Sequence, residues 1–285
     1  MMPHLLSGRS NLRSHWRRFI PRRRPKVVVP NSTGYSQTVR SVEDANKLIE
    51  HHRLLGVPPT KVEQQDYYRW QVILQTPRAA LAQVQMDTHK HGYHNREKRL
   101  YELIEFNDSF VNYVLATPHV QLPGLAERLK QEMNAFCKKL RTPMFSDEQY
   151  DAIARGLARE IAVYRTAKYH GFGVSITSRA DDAFGIDLII TQPDTGKVLN
   201  VDCKTPAAFR HRMEDLVQHD RISEAELLKG DSQGYLTVMH RRGEEYIPVT
   251  LFCILPDRLG EISDFTFDEP EKLKGVLNTI FMSVR

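Results

Sequence analysis

Gly185-Ile186-Asp187-Leu188-Ile189-Ile190, the turn Pro193-Asp194-Thr195-Gly196 and Val198-Leu199-Asn200-Val201-Asp202-Cys203-Lys204 together read as an apolar hairpin carrying two carboxylates and an amine. Side chains alternate between the faces of a strand, so Asp202 and Lys204 project from one side while Val201 and Cys203 project from the other. Leu188, Ile189, Ile190, Val198, Leu199 and Val201 make both strands apolar on both faces, as in a sheet covered by helices. Charges at the ends of such strands sit at the mouth of a covered sheet. A carboxylate there costs desolvation free energy unless a cation compensates it, and either a bound metal ion or the Lys204 ammonium meets that need.

A single Asp-x-Lys triplet in a chain with 26% charged residues is what chance supplies, and cross-strand charge pairs are ordinary on solvated sheets. The apolar setting is what distinguishes this triplet. A divalent cation on hard oxygen ligands polarises a phosphate and lowers the pKa of bound water, while a nearby ammonium holds that water or offsets developing charge. The residue types therefore suit metal-assisted phosphodiester cleavage. A third carboxylate comes from the preceding helix, which opens with the capping-box pattern Ser146-Asp147-Glu148-Gln149 and runs to about Lys168 before Gly171. At helical spacing Ile153, Leu157, Ile161 and Tyr164 form one stripe with Glu160 inside the same arc, and Arg155 and Arg159 point away. Glu160 then either reaches water or Arg165 at the edge of the stripe, or contributes to the metal site.

From residue 146 to 255 the pattern gives a helix, strands over about 172–178, 184–191 and 197–204, a helix over about 207–229, and strands over about 234–240 and 246–255. This order, with Asp187 and the Asp202-Cys203-Lys204 triplet in place, resembles the PD-(D/E)XK nuclease superfamily, whose core is a helix, a three-strand meander, a second helix and a further strand. The resemblance covers roughly 110 of the 285 residues, with Ile186 where the family name has proline. It implies an α/β fold with a mixed central sheet flanked by helices, the restriction-endonuclease-like core. It also implies that Asp187, Asp202, Glu160 and the Cys203 carbonyl bind magnesium, with manganese as a substitute, and that Lys204 positions the attacking water. DNA as the substrate is the family's usual habit. Asp181 and Asp182, in the loop before the hairpin, compete for a metal role against a solvated fate.

The amino end carries the basic excess: no acidic residue precedes Glu43, and Arg9, Arg13, Arg17, Arg18, Arg22, Arg23, Arg24 and Lys26 share a proline-broken segment with Trp16 and Phe19. Such a piece reads as a flexible arm over 1–40 whose cations neutralise phosphates while its aromatics stack on bases. A mitochondrial presequence is the competing reading, disfavoured by the lack of a long amphipathic stripe; without one the expected setting is cytoplasmic, bacterial or viral. Residues 41–145 read as an all-helical module, with apolar spacing in Leu100, Leu103, Ile104, Phe110, Val111, Val114 and Leu115 and again in Leu125, Leu129, Met133, Phe136 and Leu140. Pro58-Pro59, Thr76-Pro77, Thr117-Pro118 and Pro123-Gly124 are expected to separate its helices. His89, His91 and His94 crowd a basic stretch better suited to phosphate or solvent than to zinc. The nuclease-like domain then spans 146–285.

Three unpaired-looking cysteines (Cys137, Cys203, Cys253) argue against a disulfide framework, and no apolar run is long enough to span a membrane. Further phosphate contacts are expected from Arg179, from Arg210, His211 and Arg212 in the helix after Thr205-Pro206, and from the Arg241-Arg242-Gly243 turn. The final helix over about 270–282 is explained by packing. A reading of another class keeps the same fold as a non-catalytic nucleic-acid-binding or scaffolding module, with protein partners in a DNA-processing assembly.

Overall fold

The computed structural model describes residues 26–30, 36–88, 96–177, 181, 185–242 and 244–283. Two layers of helix enclose a mixed sheet, and a helical region precedes them in the chain. The described part opens with a hairpin, β1 (Val27–Pro30) and β2 (Ser36–Val39), paired antiparallel. Its inward valines, Val27, Val29 and Val39, are buried in the first core. The end of the segment expected as an arm over 1–40 is thus packed structure, because alternating valines can bury one face even in a basic, proline-broken stretch. Arg17, Arg18, Arg22, Arg23 and Arg24 lie outside the described residues.

Four helices follow: α1 (Val42–Leu55), α2 (Lys61–Thr88), α3 (Arg96–Ala116) and, after a short 3-10 turn at His119–Gln121, α4 (Leu125–Leu140). Ser41 caps α1 by accepting from the Asp44 N–H, and Gly56 ends it at φ 77°. Pro77 does not separate helices as its Thr-Pro context suggests; it sits inside α2 and is buried. Proline removes one helical hydrogen bond, and the burial of Val72, Ile73, Leu74, Ala79 and Ala80 in a core shared with α3 outweighs that loss. The histidines at 89, 91 and 94 lie outside the described residues.

Helix α5 (Asp147–Tyr169) has the capping box read from Ser146 and Gln149, with both reciprocal bonds made. Its buried residues divide between two cores. Tyr150, Leu157 and Ile161 join the helical core, and Ala162, Val163 and Ala167 join a second core against the sheet. The sheet contains β3 (Gly173–Ile176), β4 (Leu188–Thr191), β5 (Val198–Lys204), β6 (Tyr235–Arg242) and β7 (Glu245–Cys253), ordered β3-β4-β5-β7-β6. All neighbours are antiparallel except β5 and β7, which run parallel.

The connection from β5 to β6 is two helices, α6 (Pro206–Gln218) and α7 (Glu224–Gln233), where periodicity suggests one. Asp220, in left-handed backbone at φ 54°, breaks the run, and Ser223 starts α7 with its own capping box. Phe209, Met213 and Leu216 of α6 pack on Val238, Leu251 and Cys253, so this pair covers the face opposite α5. A short helix α8 (Pro256–Leu259), the two-residue strands β8 (Ile262–Ser263) and β9 (Thr266–Phe267), and α9 (Pro270–Ser283) complete the chain. Asp264 and Phe265 form the β8–β9 turn at φ 46° and 65°, the paired left-handed backbone that a two-residue hairpin requires. That turn reaches back to the helical core: Phe265 lies 6.1 Å from the Phe110 ring, and Asp264 accepts from the N–H of Gly124, which has no side chain with which to cap α4. Among the described residues no helix is long and apolar enough to cross a membrane.

Candidate active site

Leu199, Val201 and Cys203 of β5 belong to the core beneath α5. By alternation Asp202 and Lys204 project from the other face, beside their β7 partners Leu251 and Cys253, which pack under α6. Lys204 Nζ comes within 2.5 Å of Asp202 Oδ1. Oδ1 is itself buried. Asp202 as a whole is only 5% exposed, whereas the Lys204 side chain keeps 29% of its surface in water. Burial pushes the Asp202 carboxyl above its usual value against the pull of Lys204, Arg212 and His240. Burial acts against the Lys204 ammonium, but Asp202, by charge and contact, and Asp187 hold its pKa above the usual lysine value. The two directions are compatible: the ammonium sees two carboxylates, while Asp202 has one close cation and a dry strand end.

Asp187 stands just before β4. Its N–H donates to the Val201 carbonyl at 2.9 Å, and its Oδ2 accepts from the Cys203 N–H at 2.7 Å. The carboxylate thereby takes the place of a ladder acceptor and is held against the amide between Asp202 and Lys204. The meander delivers it there because Gly185, at φ 78°, turns the chain into β4. A Cβ at Gly185 would meet Asp202 Oδ2 at 3.6 Å, so the glycine backbone also forms the wall beside that oxygen. Sequence reasoning assigns Gly185 no role; the signal available is a glycine immediately before an acid-bearing apolar strand.

Cys203 is partly buried, and burial, followed by the charges of Asp187, Glu160 and Asp202, pushes its thiol well above the ordinary cysteine value. It stays protonated and is no nucleophile. Glu160, half-buried on α5, is thus placed near the same strand end from the opposite face. The fold brings Glu160, Asp187, Asp202, Cys203 and Lys204 to one end of β4 and β5. It does not converge three metal-ligating groups: among the described residues there is no cluster of three or more His, Cys, Asp or Glu side chains able to hold an ion. Asp187 is turned onto the Cys203 amide and Asp202 onto Lys204. The donor set still suits a hard cation, because Asp202 offers a buried carboxylate, and magnesium typically takes one or two protein carboxylates and keeps several waters.

Of the expected phosphate contacts, Arg210 pairs with Asp231 at 3.2 Å and Arg212 with Asp215 at 2.7 Å, while Arg212 also bears on Asp202. Arg179 and Asp182 lie outside the described residues. Arg221, which donates to the Met239 carbonyl, adds a positive group that no sequence pattern singles out, and burial, followed by the charges of Arg212 and Arg221, lowers the pKa of His240 on β6. Comparison with known protein families, curated proteins and solved structures finds no match to this chain.

Proposed function

We propose that this chain is a magnesium-dependent nuclease hydrolysing DNA phosphodiester bonds, with manganese able to replace magnesium. The observation that carries the reading is the buried Asp202, ion-paired with Lys204 two residues on and one strand away from Asp187. A carboxylate kept dry in this way is stabilised by a further cation. Asp187 and Asp202 would hold the ion, with Glu160 assisting from α5; when bound, it supplies Lewis-acid polarisation of the phosphate and acidification of water. Lys204 presents a protonated amine that orients the attacking water and offsets charge on the phosphoryl oxygens. The covering helices restrict water at the strand ends, which strengthens each of these contacts. The choice of DNA follows the PD-(D/E)XK resemblance.

A second reading, a non-catalytic nucleic-acid-binding or scaffolding module, draws on the absence of three converged ligands among the described residues and on the engagement of Lys204 by Asp202. Plasmid, linear and single-stranded DNA incubated with magnesium or manganese against EDTA separates the two. Cutting that needs the metal and disappears in both Asp202→Ala and Lys204→Ala supports the hydrolase; DNA binding with no cutting under any metal supports the module.

A further inference from the structure

Arg155 and Arg159 lie four residues apart on α5, immediately before Glu160. Like charges at this spacing are side by side on a helix and repel. Helical spacing points Arg159 away from the stripe into water, yet it is half-buried, and its guanidinium donates to the Arg155 carbonyl at 2.8 Å. Among the described residues no carboxylate stands within ion-pair distance of either arginine, whereas Arg53, Arg69, Arg78, Arg210 and Arg212 each have one. Burial, and after it the charge of Arg155, lowers the pKa of Arg159 from the ordinary arginine value. The fold thus holds this cation where its charge is disfavoured and, among the described residues, gives it no acid in return.

Arg159 immediately precedes Glu160, the helix acid of the candidate site, on the same helix. A half-withdrawn guanidinium without a carboxylate is completed by an anion from outside, and its planar fork matches two phosphate oxygens. We propose that Arg159, with Arg155 one turn before it, forms a phosphate-contact site on α5, next to Glu160, that holds the nucleic-acid backbone. The identity of the anion as a phosphodiester backbone rests on the nuclease reading. Both arginines are positioning residues: they place the strand and take no part in proton transfer.

The test measures binding of a fluorescein-labelled DNA oligonucleotide by anisotropy, in EDTA, between about 50 and about 200 mM KCl, for the wild-type chain, Arg155→Gln, Arg159→Gln, the double variant and Arg159→Lys. The double variant is expected to bind about tenfold more weakly, with the slope of log K against log salt shallower by about one for each phosphate that is no longer neutralised. Arg159→Lys keeps the wild-type slope and recovers part of the affinity, because it restores the charge but not the fork. A purely structural role would lower the melting temperature and leave the salt slope unchanged, which would overturn the assignment. Wild-type affinity and slope in the double variant, or no binding by the wild-type chain at the lowest salt, would overturn it as well. Cutting of plasmid is scored in parallel: a chain that binds but never cuts defeats the hydrolase reading alone, and arginine variants that bind like wild type defeat this inference alone.

Discussion

Two ion pairs with a buried carboxylate, one in each half of the molecule, tie together different amounts of chain. In the helical region Glu105, 12% exposed at its side chain, contacts both Arg78 and Arg53, the latter at 2.8 Å, so one carboxylate is gripped by two guanidiniums across α1, α2 and α3. At the end of β5 the pair lies within one strand: Lys204 is ion-paired with Asp202, two residues before it, and is also influenced by Asp187. The first arrangement joins three helices, and its Arg53 also pairs with Glu50. The second joins a buried carboxylate to an ammonium that keeps 29% of its side-chain surface in water.

The widest separation between the two clusters is expected in activity. Lys204→Ala lowers the rate of metal-dependent plasmid cutting by about 10²- to 10³-fold, the scale of losing one preorganised charge-stabilising group. Glu105→Ala leaves that rate at the wild-type value, and equal losses in the two variants would erase the contrast. Next comes stability. Glu105→Ala strands Arg78, 17% exposed at its side chain, without its acid and costs about 2 kcal/mol in urea unfolding, less than a fully buried pair because Arg53 is a third exposed.

A pH effect belongs to the helical half. His52 is 6% exposed, and Gln71 Nε2 lies 3.1 Å from its Nδ1. Burial, then the neighbouring His51 charge, lowers its pKa from 6.5 against the opposing influence of Asp66. The unfolded chain takes up this proton near 6.5 and the folded chain only at lower pH, so the His52 contribution is complete above 6.5 and is lost as pH falls below it. Thermal melts from about pH 8 to about pH 5 are expected to show this decline in the wild type and a shallower one in His52→Asn. The smallest effect sharpens the sheet side. Gly185→Ala places a methyl in left-handed backbone, 3.6 Å from Asp202 Oδ2, and costs about 1 kcal/mol of stability together with a several-fold loss of cutting. Unchanged cutting in that variant would remove Gly185 from the site wall.

Local signals are the legible ones. The Ser146 and Gln149 capping box, the 193–196 turn and the alternation through Asp202 and Lys204 each involve neighbours a few residues apart, and each is present in the folded chain. The mixed sheet and its covering helices also follow the strand and helix order inferred from periodicity. What escapes a reading of the sequence depends on partners distant in the chain. Pro77 stays inside α2 because of a core shared with α3, the valines of β1 and β2 are buried against helices up to Phe136, and Arg159 is half-buried because α5 has apolar partners on more than one side. At the site, residue type and spacing identify the acids, but the turning of Asp187 onto the Cys203 amide is a bond between strands that no single-strand pattern encodes.

Because α5 is embedded in both cores along one uninterrupted length, the catalytic-looking half has no independent existence as a portable cassette. A fragment starting at Asp147 would lay bare Tyr150, Leu157 and Ile161 and leave Phe265 without its socket, an adhesive apolar surface. Grafting or splitting the chain is better aimed at the solvated Asp194–Gly196 turn, where little packing is disturbed.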